Sequence, residues 1–262
     1  MDGVGHELLV ALVVVIPMAL MVLAAARWAG YLRGPASLSP SHRRMLEKYA
    51  LPYQRTATKD RPRFERIVAQ FIADKDWQGA GMTVAEEMKV VVAATAAQLL
   101  LGFDGVRLDH FERIILHPDS YRSGRKGTLH QGEVRPTAGV IMVSWGDLLR
   151  GYGNPRDGHN VGLHELAHAL WFEHKLRKDK AQFLHPELLQ NWIDHADGEI
   201  ERIRKGRSRL FREYAGTNQA EFFAVAVEYF FERPGEFNAE LPELYAVLCG
   251  MLNQFPDKAS LS

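Results

Sequence analysis

The chain has 262 residues, of which 47% are hydrophobic, and its 32 Lys and Arg are balanced by 32 Asp and Glu. The lack of net charge argues against a protein that binds nucleic acid through a basic surface, and we predict no direct nucleic-acid partner. The length suffices for one good-sized core with appendages. The single cysteine, Cys249, lies in an apolar stretch and is expected to be a buried small side chain, which fits a reducing compartment.

The N-terminal segment 8–26 contains no charged residue and is dominated by Leu, Val, Ile, Met and Ala. Its length approaches the roughly 20 residues that span a bilayer, and Pro17 is tolerated in spanning helices. We therefore predict one transmembrane helix within an N-terminal membrane anchor, residues 1–33. A cleaved signal peptide and a buried core helix are the alternatives, the first because residues 24–26 are three alanines.

The charges that flank the apolar segment predict its orientation. Before it the chain has Asp2 and Glu7 but no Lys or Arg, whereas five basic residues follow it: Arg27, Arg33, Arg43, Arg44 and Lys48. By the positive-inside rule the rest of the chain lies in the cytoplasm. The sequence thus predicts a single-pass membrane protein whose main domain is cytoplasmic.

The remaining chain predicts an α+β fold, dominated by helices and with a small sheet. We assign residues 34–60 to a Pro/Ser-rich linker and a leading helix, 61–256 to the main domain and 257–262 to a tail. Thr83 and Glu86 match a capping box that would open a long apolar helix. The predicted helices cover 42–49, 61–77, 83–101, 186–205, 219–232 and 242–254, with a further helix around 164–168, and the predicted strands cover 111–116 and 140–145.

Residues 164–168 read His-Glu-Leu-Ala-His within an apolar, helical setting. Side chains four residues apart lie on one face of a helix, so His164 and His168 could bind one metal ion. Glu165 could then accept a proton from a metal-activated water, and zinc suits such a site. The alternative is a pair of hydrogen-bonded core histidines, which would leave Glu165 in need of its own buried partner.

Two residues compete to be the third ligand. His174 has the spacing of an elongated zinc motif, but Trp171 replaces the glycine that would turn the chain back to the metal. We therefore expect His174 in the last helical turn or at the surface. Glu221 is the better candidate because it lies in an apolar helical segment, where an unpaired acid is rare. In the alternative, Glu221 and Glu228 merely reach solvent or a basic neighbour.

Tyr214 precedes Glu221 by seven residues. Its phenol could donate a hydrogen bond to an oxyanion that develops on a substrate carbonyl. The alternative is an ordinary half-buried tyrosine.

Two segments carry a family resemblance, residues 158–168 (GHNVGLHELAH) and 214–224 (YAGTNQAEFFA). Together they resemble the Mlc titration factor A family of bacterial zinc peptidases, whose active site is similar to that of the anthrax lethal factor catalytic domain. Segment 139–147 also resembles the strand that such proteins carry before the active-site helix. The resemblance spans roughly residues 61–256 and implies a gluzincin-like zinc metallopeptidase domain.

Carried over residue by residue, the resemblance implies that His164, His168 and Glu221 bind Zn²⁺. It also implies that Glu165 is the general base and that Tyr214 stabilises the transition state. Relatives often have an aspartate where this chain has Trp171, so contacts behind the ligands are expected to differ.

The implied function is hydrolysis of a peptide or protein substrate, with a leaning towards an aminopeptidase. An alternative of another class is a membrane-tethered module that sequesters a transcriptional repressor of the Mlc type. An inactive structural relative is disfavoured by the intact set of candidate ligands and base.

Strand 140–145 has two interpretations. As an edge strand beside the cleft it could pair with an extended substrate through main-chain hydrogen bonds. As an interior strand it would have no contact with substrate. The neighbouring segment 131–136 reads as a rim without chemical signature.

Overall fold

The computed structural model describes Met21 and residues 37–123, 128–176 and 183–256. The chain divides into two units, residues 1–36 and 37–262. The fold below is that of the second unit. The domain boundaries predicted near residues 33 and 60 stay predictions.

The described residues form an α+β unit with many helices and few short strands, as predicted. In chain order the elements are α1 (Pro40–Tyr49), α2 (Leu51–Arg55), α3 (Arg61–Asp74), β1 (Asp76–Gly79), α4 (Glu86–Leu100), β2 (Arg113–His117), β3 (Tyr121–Ser123), β4 (Thr128–His130), β5 (Gly132–Arg135), β6 (Val140–Ser144), α5 (Trp145–Gly153), α6 (Val161–Leu176), α7 (Pro186–Arg204), α8 (Gln219–Glu232), α9 (Pro234–Glu240) and α10 (Pro242–Leu252). Short 3-10 turns cover Pro136–Ala138 and Glu213–Gly216.

The larger sheet has the strand order β1-β2-β6-β5. Strands β1, β2 and β6 are parallel, and β5 runs antiparallel to β6. All five residues of β6 are buried, and it has a strand on each side, so it is the interior strand of the second interpretation above. The edge beside it belongs to β5, which the sequence had indicated only as a rim.

Three apolar helices, α4, α6 and α8, supply much of the core. Trp171 of α6 is 2% exposed, and its ring centroid lies 5.1 Å from that of Phe223 in α8. Trp192 of α7 completes this cluster with a centroid 5.6 Å from the same Phe223 ring. Each such aromatic side chain contributes about 1.5–3 kcal/mol by leaving water. This packing fixes α6 against α8, the two helices that carry the predicted ligands.

Two predicted boundaries are wrong. The helix expected over 61–77 ends at Asp74, because Asp76–Gly79 pairs in parallel with Arg113–Leu116 and draws Trp77 into β1. The predicted capping box is not formed, since α4 begins at Glu86 after Ala85 and receives no side-chain cap. A long-range strand pairing outweighs the local helical pattern in the first case.

The prediction of a single-pass membrane protein with a cytoplasmic domain must be corrected. Among the described residues no helix is both long and apolar enough to cross a bilayer. The physical reason is that apolar helices α6 and α4 have only 16 and 15 residues, while the 19-residue α7 is rich in charged side chains. The segment expected to span, 8–26, lies outside the described residues except for Met21.

Two glycines allow a matched test of packing. A Cβ added at Gly102 would lie 1.9 Å from the carbonyl oxygen of Leu252, whereas one added at Gly198, inside α7, would meet no atom within 4 Å. We expect G102A to lower the free energy of unfolding by about 1–3 kcal/mol through overpacking. G198A should raise it by roughly 0.5–1 kcal/mol because alanine favours a helix interior. Urea unfolding measures both, and equal stabilities would contradict this account.

Candidate metal centre

Helices α6 and α8 bring three potential ligand atoms together. His164 and His168 lie one turn apart on α6, and their Nε2 atoms are 3.2 Å apart. Oε2 of Glu221, in the first turn of α8, lies 3.2 Å from the first of these atoms and 3.1 Å from the second. The side chain of Asn218 caps α8 by accepting hydrogen bonds from the backbone N–H groups of Ala220 and Glu221, which fixes the start of this helix.

The spacing of the three atoms fits a tetrahedral metal ion. For bonds of about 2.0–2.1 Å, tetrahedral angles place neighbouring ligand atoms about 3.3–3.4 Å apart. The separations in the structure are 3.1–3.2 Å. Two imidazoles and a carboxylate are also a donor set that zinc accepts. The residues present therefore fit such an ion.

The electrostatics of the cluster favour a positive charge. Burial acts to lower the pKa of His164, but Glu221 and Glu228 on either side raise it to about 10. Burial acts to raise the pKa of Glu221, yet its hydrogen bonds with the two histidines hold this pKa well below the usual range. Burial also lowers the pKa of His168. A site that attracts a proton so strongly also suits a divalent cation, which can replace that proton.

A second acid, Glu228, lies behind His164 and has no exposed surface. Its Oε2 is 3.1 Å from Nδ1 of His164 and also accepts a hydrogen bond from Arg212. Its Oε1 accepts the backbone N–H of Asn160 at 2.7 Å. A carboxylate in this position fixes the imidazole ring and its tautomer, so that Nε2 faces the candidate ion.

Arg212 was not predicted from the sequence. A basic neighbour is one of the two explanations given above for the acids in α8, and it holds for Glu228. The one signal in the sequence was Glu228 itself, since a carboxylate buried in an apolar helix requires a cation nearby. Nothing in the spacing selects Arg212, which lies 16 residues before Glu228 in a segment without regular structure.

His168 differs from His164 in the hydrogen bonding of its Nδ1 atom. Its Nδ1 is buried and has no hydrogen-bond partner among the described residues. Trp171, on the next turn of α6, packs on Phe223. The imidazole of His168 therefore lacks the hydrogen bond that fixes a ring nitrogen of His164.

Glu165 lies beside the edge strand. It is only 5% exposed, and a Cβ added at Gly132 of β5 would lie 2.4 Å from its Cγ. Burial and the nearby carboxylates of Glu221 and Glu228 raise the pKa of Glu165 to about 8, although His164 acts to lower it. The absence of a side chain at Gly132 provides the space that this carboxylate occupies, a role the sequence did not reveal.

Tyr214 and His174 have different positions relative to this cluster. The Tyr214 ring, 51% exposed, lies 6.1 Å from the His164 ring, and burial together with Glu221 raises its pKa to about 12. His174 is in the last turn of α6, as expected, but it is buried, with its ring 5.2 Å from that of Phe183. The described residues that could hold a metal ion include His164, His168 and Glu221 but not His174.

Comparisons with known proteins place the chain in a family. A family model described as "Glucose-regulated metallo-peptidase M90" matches residues 27–252. An uncharacterized protein of Synechocystis sp. is 25% identical over 80% of this chain and 82% of its own length. Proteins named "Mlc titration factor A" are also similar: that of Klebsiella pneumoniae strain 342 is 24% identical over 84% of this chain and 82% of its own, and that of Enterobacter sp. is 24% identical over 80% and 85%.

A pH-dependent contribution to stability is expected from Glu232, at the end of α8. Its carboxylate accepts hydrogen bonds from Asn160 Nδ2 at 3.0 Å and from the backbone N–H of Gly158 at 3.1 Å. Burial nevertheless raises its pKa to about 7, with Asp157 and Glu228 adding to the shift. The folded protein therefore binds the Glu232 proton more tightly than the unfolded chain, whose carboxyl has a pKa near 4.5. This proton contributes to the free energy of unfolding in full at low pH, and the contribution is lost as the pH rises through about 7.

We therefore expect wild-type protein to lose stability relative to the variant E232Q between pH 5 and pH 8.5. Urea unfolding at both values measures the difference. E240Q, which changes an exposed carboxylate of α9, is the control and should follow the wild type. The assignment fails if the gap between wild type and E232Q is the same at both values.

Proposed function

The chain belongs to the glucose-regulated metallo-peptidase M90 family, and from this membership we propose that it is a zinc-dependent peptidase with aminopeptidase-like action. The observation that carries the proposal is the triangle of His164 Nε2, His168 Nε2 and Glu221 Oε2, with sides of 3.1–3.2 Å. We assign these three residues as the zinc ligands. A gluzincin-like fold, in which the third ligand is a glutamate from a later helix, is part of the proposal.

Glu165 is proposed as the general base. When bound, zinc would supply Lewis-acid activation of a water molecule and of the scissile carbonyl group. Glu165 takes the proton of the attacking water and delivers it to the leaving amine nitrogen. Its burial supports this role, because a carboxylate in a dry site binds a proton more strongly than one in water.

Tyr214 is proposed to donate a hydrogen bond to the carbonyl oxygen as negative charge develops there. Its raised pKa supports the role, since the phenol keeps its proton throughout the neutral range. The side chain is also about half exposed, which supports access by a substrate.

Strand β5 supports a peptide as the substrate. It is the edge of the larger sheet and contacts Glu165 through Gly132. An extended peptide can pair with such an edge through its main chain, which would lay a scissile bond beside the base. The interior position of β6 removes that strand from this role.

A second candidate function comes from the names of the relatives. Several are called "Mlc titration factor A", so a module that sequesters a transcriptional repressor of the Mlc type is a candidate here too. Calorimetry of this protein with a purified repressor of that type tests it. Saturable binding that persists in E165Q would show a binding role separate from hydrolysis, and absence of binding would exclude it.

Two substitutions separate the base from the ligands. E165Q should reduce peptide hydrolysis by about 10²–10⁴-fold, because it removes proton transfer, and should leave the zinc content unchanged. E221A should lower the zinc content, because it removes a ligand. Hydrolysis of a peptide library and mass-spectrometric metal analysis measure the two effects.

E187Q changes an exposed acid of α7 and serves as the control for both variants. Full activity in E165Q would refute the assigned mechanism. An unchanged zinc content in E221A would remove Glu221 from the ligand set.

Gly132 offers a further test of how Glu165 is placed. The added Cβ in G132A would overlap Glu165, so we expect this carboxylate to move and kcat to fall at least about tenfold. The zinc content should not change, because the ligand triangle does not include β5. G153A, where a Cβ would meet no atom within 4 Å, is the matched control. A kcat equal to that of G153A would contradict the contact.

A further inference from the structure

A second feature of the same unit is a cavity of about 920 Å³ that contains none of the five candidate catalytic and ligand residues. It lies among the ends of α2, α3, α4, α5 and α8 and the first turn of α6, where Leu163 contributes to its wall. Its volume is within the range of about 300–1,000 Å³ that is common for small-molecule sites.

The charged residues around the cavity are mostly basic. Four cations and two acids line it: Arg55, Lys59, Arg63, Arg156, Asp60 and Glu232. Arg63 forms a salt bridge with Asp104, with an N–O distance of 2.8 Å. The exposed side chains of Arg55, Lys59 and Arg156 have no ion pair or hydrogen bond within the part of the chain that the structure describes. Three uncommitted cations around one opening favour an anionic group.

The wall of the cavity is largely apolar. Six side chains supply most of this character: Leu51, Phe64, Leu101, Leu163, Phe231 and Phe255. Polar side chains, among them Gln98, Asn160 and Glu232, also line the cavity, and burial raises the pKa of Glu232. A ligand that fits has an anionic head for the cations and an apolar body for the wall.

The cavity also contacts the residue that begins the candidate catalytic helix. Asn160 lines it and accepts the backbone N–H of Leu163 through Oδ1 at 3.1 Å, which caps α6. Its Nδ2 donates to Glu232, and its backbone N–H donates to Glu228, which contacts His164 at 3.1 Å. Hydrogen bonds therefore connect the cavity wall to a candidate metal ligand without a gap.

We propose that this cavity is a regulatory site for a small organic anion with an apolar body, a carboxylate or a phosphate monoester. Its head group contacts Arg55, Lys59 and Arg156, and its body covers the apolar wall. Occupation alters the capping of α6 at Asn160 and so changes the affinity of the candidate centre for its metal. The proposal rests on the metal binding proposed above for His164, His168 and Glu221, but not on the reaction that the centre catalyses.

Calorimetry on the full chain, zinc-loaded and zinc-stripped, tests the site with four probes. Octanoate and octyl phosphate have both required features, octanamide lacks the charge, and inorganic phosphate lacks the apolar body. We expect saturable 1:1 binding of octanoate, octyl phosphate or both, at least ten times tighter than of the other two. The tighter of the two amphiphiles identifies the head group. Binding must persist after zinc removal, because direct ligation of the ion by the probe would otherwise explain it.

Charge reversal locates the site. K59E/R156E should weaken binding of the preferred probe at least tenfold, whereas R44E/R207E, with the same change of charge at exposed positions outside the cavity, should not. The zinc dissociation constant of the full chain should shift about fivefold or more when the probe is saturating.

Four results would overturn the proposal, the first three of them as follows. These are the lack of saturable binding by either amphiphile, equal binding by the two double variants, and a zinc dissociation constant that the bound probe leaves unchanged. Binding seen only after deletion of residues 257–262 would identify the chain's own end as the occupant and would likewise overturn it. None of these results bears on whether E165Q abolishes hydrolysis, so the two proposals can fail separately.

Discussion

The complete burial of Glu228 is the constraint on which the rest of the centre depends. A carboxylate within the apolar helix α8 would be strongly destabilising without compensation, and removal of one partner from such a buried charge typically costs about 3–5 kcal/mol. Here Arg212 and the backbone N–H of Asn160 provide the compensation, and Nδ1 of His164 lies within hydrogen-bond distance. The same contacts fix the start of α6 and the orientation of an imidazole. Stability and the geometry of the site therefore rest on one set of atoms.

The cluster around Glu228 is rich in acids, and this excess gives the centre its preference for a cation. Glu165, Glu221 and Glu228 all act on His164, whose pKa rises to about 10 despite its burial. Only Arg212 supplies a permanent positive charge that contacts the cluster within the described residues. A divalent ion between the histidines and Glu221 would relieve this repulsion. Because the unfolded chain does not hold these side chains together, an ion bound at the centre would also stabilise the fold.

The sequence predicted the parts of the centre that rest on local patterns. The spacing of His164 and His168 and the apolar helix around Glu221 correspond to α6 and α8 in the structure. The α+β class also followed from periodicity. Arg212, Gly132 and the edge position of β5 could not be predicted, because each depends on a contact between segments far apart in sequence. Trp77 shows the same limit, since its strand exists only through pairing with β2.

Asn160 connects the two sites because all of its polar groups are in use. Its backbone N–H, Oδ1 and Nδ2 bond to Glu228, Leu163 and Glu232 respectively. It cannot shift without losing at least one hydrogen bond, each of which contributes about 0.5–1.5 kcal/mol net. A coupling of 1 kcal/mol corresponds to roughly a fivefold change in affinity. The loss of one bond at Asn160 is therefore enough to make the centre respond to the cavity, and no large movement of α6 is needed.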